Sequence, residues 1–90
     1  MTHYECGADA LYELGVDCAS GRSVPADLVS AHKWFNLAAM KGHGEAARMR
    51  REIATEMTDG EIGQAQRAAR DWLKSQQQDA PAREPLRVAA

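Results

Sequence analysis

Aromatic side chains are scarce in this 90-residue chain: two Trp, two Tyr and one Phe make up 6% of it. A core with so few rings must be thin, and a broad enzyme cleft with its own supporting shell is not expected. At 9.8 kDa the folded chain exposes about 5,200 Å² against about 14,000 Å² unfolded, so one small domain buries roughly 64% of its surface. No apolar run approaches the roughly 18 residues of a membrane span. Neither sign of charge dominates, and a net charge of −2 argues against a general nucleic-acid or membrane binder. The first residues, Met1-Thr2-His3-Tyr4-Glu5-Cys6, show no basic or apolar leader pattern, so the expected location is cytoplasmic. Period-2 alternation is missing, and no strands are expected.

Cysteine is also sparse. Cys6 and Cys18 stand 12 residues apart on one expected helix, about 18 Å of rise. A bridge needs Cα atoms within about 7 Å, so an intact helix excludes an internal disulfide. His3 and Cys6 have half the spacing of a zinc site, with no second pair at ligand spacing, and no metal or other cofactor is expected. A Cys18–His32–Asp27 set can be written down as a catalytic constellation. Cys18 falls on a core-facing position, and no Gly-rich loop offers an oxyanion hole, so the chain does not read as an enzyme. His32 and His43 are expected on exposed helix surface or in a turn.

What the chain has in quantity is alanine, 17 residues of it, which lets helices approach closely. The expected fold is all-α, with about four helices in antiparallel hairpins forming a short solenoid-like α/α repeat array. Thr2 and Glu5 have capping-box spacing. Tyr4, Ala8, Leu11, Tyr12, Gly15 and Cys18 then form the apolar side of helix 1, which Gly21 ends. Asp27 caps a second helix with the stripe Leu28, Ala31, Trp34, Phe35, Ala38 and Ala39, ended by Gly42. A third runs from about Gly44 to Met57, with Ala46, Met49, Ile53 and Met57 inward. Thr58 and Glu61 form the capping box of a fourth, with Ile62, Ala65, Ala69, Trp72 and Leu73 inward. The reading divides the chain into a helical domain at 1–77 and a disordered tail at 78–90, where periodicity ends. Ala31-His32-Lys33-Trp34-Phe35 has an echo 38 residues later in Ala69-Arg70-Asp71-Trp72-Leu73, a helix-pair spacing.

Residues 8–49 resemble a Sel-like repeat, the longer relative of the tetratricopeptide repeat. The resemblance is carried by Ala10, Leu14 and Gly15, then Gly21, Val24, Pro25 and Asp27, then Ala31, Trp34, Ala38, Ala39 and Gly42, and finally Glu45-Ala46. Cys18 stands in place of the usual Tyr, and Ser23 in place of the usual second loop Gly. One clear repeat spans about 8–43. Residues 44–77 read as a degenerate capping repeat, with Arg50-Arg51 in place of Leu-Gly. The resemblance implies a protein-interaction role through a curved helical surface, with no catalytic residues to carry over. Independently of any family, Gly15 costs its helix about 1 kcal/mol relative to Ala, which suggests that a neighbouring helix approaches there. Trp34 and Phe35 are the large aromatics able to fill that contact, with Trp34 expected in it.

Two charged features bear on partners. Glu5, Asp9, Glu13 and Asp17 recur every fourth residue along helix 1, either a solvated face or a strip that meets a basic segment. Tyr4, Leu11, Tyr12 and Leu14 cover more than one side of that helix, so some apolar surface is expected to stay exposed. The partner-binding candidates are therefore Glu5, Asp9, Leu11, Tyr12, Glu13 and Asp17, for a protein or peptide partner or a weak homodimer. The rival is a small DNA-binding regulator that uses Arg48, Arg50 and Arg51. Glu52, Glu56 and Asp71 are interleaved with the cations of that half and would repel a phosphate backbone.

Overall fold

A computed structural model describes residues 7–21 and 26–79, and these are all-helical, without strands. Four helices follow in order: α1 Ala8–Ser20, α2 Leu28–Met40, α3 Gly44–Ala54 and α4 Asp59–Asp79. Thr2, Glu5, Cys6 and residues 80–90 lie outside the described residues, and α4 continues through 78 and 79, where the tail is expected to begin. Helix α1 starts at Ala8 after Gly7, which supplies no side-chain cap.

The helix ends follow local chemistry. Gly21 takes φ 73°, a left-handed backbone that side chains rarely adopt. Its N–H donates to Asp17 O at 3.2 Å, and Asp27 N–H donates to Cys18 O at 2.9 Å, which brings α2 back along α1. Asp27 accepts from Ser30 N–H at 3.1 Å and from the Ser30 hydroxyl at 2.9 Å, capping α2. At α4 the capping box is reciprocal. Thr58 N–H donates to Glu61 Oε1 at 2.9 Å, and Glu61 N–H donates to Thr58 Oγ1 at 3.1 Å. Helix α3 stops three residues short of the expected Met57. The Thr55 hydroxyl donates to Glu52 O at 2.7 Å, and successive tight turns carry the chain from Thr55 to Met57, still bringing Met57 into the core.

The second helix is the hub. Helix α2 packs against α1, α3 and α4, whereas those three meet one another only marginally. With neighbours on three sides, α2 buries Ala31, His32, Phe35, Leu37 and Ala38. Leu37 and His32 lie off the apolar stripe read from the sequence, and burial of His32 corrects the expectation of an exposed histidine. A solvent-facing stripe on α2 needs an open side, and three packed helices leave too little of one.

The α1–α2 crossing is made at Gly15. A Cβ built there would stand 2.6 Å from Cδ1 and Cε1 of Phe35, closer than real side chains approach. Phe35, not Trp34, therefore fills this contact. Trp34 reaches the Cys18 thiol of α1 and meets Trp72 of α4 edge to face, with ring centroids 5.8 Å apart. Lys33 Nζ lies 4.0 Å from the centroid of the Trp34 ring. The two tryptophans that echo each other in sequence thus touch in the fold, and Ala31 and Ala69 are both buried.

Candidate interaction surface

Helix α1 carries three carboxylates and no Lys or Arg between Ala8 and Ser20. The Asp9 side chain is 98% exposed, Glu13 is exposed, and Asp17 is half-buried. Leu14, 38% exposed, is the large apolar side chain this helix shows to solvent. Glu5 lies outside the described residues.

Leu11 and Tyr12 are placed differently from expectation. Leu11 is fully buried, which removes it from any surface. It sits one helical turn before Gly15, so the close α1–α2 approach draws it into the same contact. Tyr12 is half-buried between two rings. It packs at 5.7 Å on Phe35 with an interplanar angle of 45°, and stacks on His43 at 4.3 Å with an angle of 14°. Exposed apolar area on α1 therefore centres on Leu14.

His43 joins three elements. Its Nδ1 accepts from Ala46 N–H at 3.0 Å, capping α3, and its Nε2 lies 3.5 Å from Asp9 Oδ1. An acceptor role at Nδ1 places the proton of the neutral ring on Nε2, facing the carboxylate. His43 Nδ1 stands three residues before the N–H it accepts, the spacing of an N-cap, but the uncommon residue type hides it from sequence reading.

Two cations of the second half, Arg48 and Arg50, are engaged. Arg48 pairs with Glu45 and, at 2.6 Å, with Glu52 on its own helix; hydrogen bonds to both carboxylates, Glu45 first, push its guanidinium further into the charged state. Arg50 donates to Asn36 Oδ1 on α2 at 3.0 Å. Arg51, Arg67, Arg70 and Lys74 are exposed.

The Cys18–His32–Asp27 set is not a poised nucleophile. Cys18 is half-buried, and burial, then Asp27, push its thiol up, away from thiolate. The carboxylate of Asp27 is committed to the α2 cap, and the Ser30 hydrogen bonds hold it below the usual carboxylate range. His32 is driven down, toward the neutral form, by burial and then by Arg50. Among the described residues no group of His, Cys, Asp and Glu is arranged to hold a metal ion, and no helix is long and apolar enough to cross a membrane.

The chain matches no family model, no curated protein and no solved structure.

Proposed function

We propose that this chain is a small protein-interaction module of the Sel-like repeat kind, and that it takes a basic partner segment on the outward face of α1. The carrying observation is that Asp9, Glu13, Asp17 and the exposed Leu14 all lie on a helix that has no Lys or Arg. Carboxylates supply steering and orientation, and Leu14 supplies the apolar anchor that a purely electrostatic contact lacks. The rest of α1 is occupied by α2, through Leu11, Gly15 and Phe35, so the helix is held rigid while one face stays open.

A DNA-binding role on the Arg48/Arg50/Arg51 side is less well supported. Arg48 is neutralised by two glutamates and Arg50 is tied to Asn36, which among the described residues leaves Arg51 as the exposed cation of the three without a shown ion pair. Pulldown from native lysate tests the proposal, with wild type compared with Glu13→Lys and Leu14→Asp. Both substitutions sit on exposed positions and should leave the helical circular dichroism intact. The expected result is a protein captured by wild type, released by salt and lost in both variants. Undiminished capture by both variants, or salt-sensitive binding of duplex DNA by wild type in their place, overturns it. Sedimentation equilibrium reads out whether a second copy is itself the partner.

A further inference from the structure

Two of the three histidines bear on how α3 sits against α2: His43, at the corner between them, caps α3 with a lone pair that only its neutral ring has, and His32 is buried in the first half of α2. His32 on α2 is 4% exposed. Its Nδ1 is buried without a hydrogen-bond partner among the described residues. Arg50 of α3 reaches across to Asn36, one helical turn along α2 from His32, and its charge bears on the imidazole. A proton on His32 would put a second cation in a buried site beside a guanidinium. His43 caps α3 through the Nδ1 lone pair. A proton there would set two N–H groups against each other and add positive charge at the positive end of the helix dipole.

We propose that the packing of α3 on α2 is a proton-operated joint, in which protonation of His32 and His43 loosens α3 from α2 while the α1–α2 hairpin stays closed. The hairpin is held by Leu11, Gly15 and Phe35, none of which titrates. Helix α4 meets α2 through the Trp34–Trp72 pair, which does not titrate either. Groups that face His43 are Asp9 and Tyr12 of α1; Glu45 in the first turn of α3 is bound to Arg48. The Asp9 carboxylate is almost wholly in water, where its attraction for a charge is screened. Burial holds His32 neutral in the seated state, so the released state takes up more protons. Release therefore becomes easier as pH falls below the ordinary histidine range, and the effect levels off below the depressed value.

Amide exchange along the intact chain, corrected for the intrinsic pH effect, tests this between about pH 7.5 and about pH 5, where histidine changes charge. Amides of the last turns of α3, from Met49 to Ala54, should lose protection several-fold on acidification, while those of α2 around Phe35 change less. His43→Ser, which keeps a non-titrating cap, should remove part of the response, and His32→Leu a further part. Should His32→Leu fail to fold, the wild-type imidazole signals decide: the His32 ring must titrate in step with the α3 amides. Protection of α3 that does not change with pH overturns the joint. So does equal loss in α1, or an undiminished response in the His43→Ser variant together with a His32 ring that titrates out of step.

Discussion

The two halves of the chain are built from helices joined by short connections, yet only the first closes into a hairpin. In α1–α2 the ring of Phe35 lies against Gly15, too close for any side chain at that position. In the second half Arg50 and Arg51 occupy the corresponding place, 36 residues on from Leu14 and Gly15, and α3 and α4 each pack on α2 rather than on each other. Close approach of two helices needs a residue without bulk at the crossing; Gly15 supplies it in the first half, and Arg51 stands at the equivalent position of the second. The second half uses α2 as its partner instead, which makes one helix the support of the other three.

The comparison can be broken most directly at its largest contact. Phe35→Ala should cost about 3–5 kcal/mol, because it empties a fully buried site between α1 and α2. Trp34→Ala, at a half-buried site facing α4, should cost less. Chemical denaturation of both variants checks the order; if Trp34→Ala proves the more damaging, the α2–α4 contact and not the hairpin dominates stability.

A second substitution sharpens the role of the crossing. Gly15→Ala gains about 1 kcal/mol of helix propensity but forces a methyl against the Phe35 ring, so a net loss of about 1–2 kcal/mol is expected. In a Phe35→Leu background the same change should cost less, and a double-mutant cycle reads that coupling. Additive effects would mean that the two residues do not share the contact.

The smallest effects belong to the caps, one in each half. Asp27→Ala and Thr58→Ala should each cost about 1 kcal/mol in thermal or chemical unfolding. They differ in acid. Hydrogen bonds from Ser30 hold the Asp27 carboxyl below its ordinary value, so its contribution is present above about pH 3.9 and disappears as pH falls through the depressed value. The Asp27→Ala variant should lack that part of the acid response, while Thr58→Ala should retain it.

Much of this architecture is legible in the chain itself. The four helices, the left-handed turn at Gly21, the Asp27 cap and the Thr58–Glu61 box were each readable because their partners lie within a few residues. The face of α1 was readable in part: Asp9, Glu13 and Leu14 are outward, but Asp17 is half-buried, Leu11 is buried and Tyr12 is enclosed by Phe35 and His43. Adjacent apolar residues posed the harder problem. Trp34 and Phe35 stand about 100° apart on one helix, and either could have faced Gly15.

The sequence by itself determined that this protein is helical, where α1 ends and where α2 and α4 begin, and that something must approach closely at Gly15. Those properties depend on backbone hydrogen bonds and caps between residues a turn apart. The tertiary structure alone decided that Phe35 fills the crossing, that Trp34 pairs with Trp72, and that His32 is buried. Burial is set by how many neighbours surround a helix, and α2 has three of them, drawn from both halves of the chain.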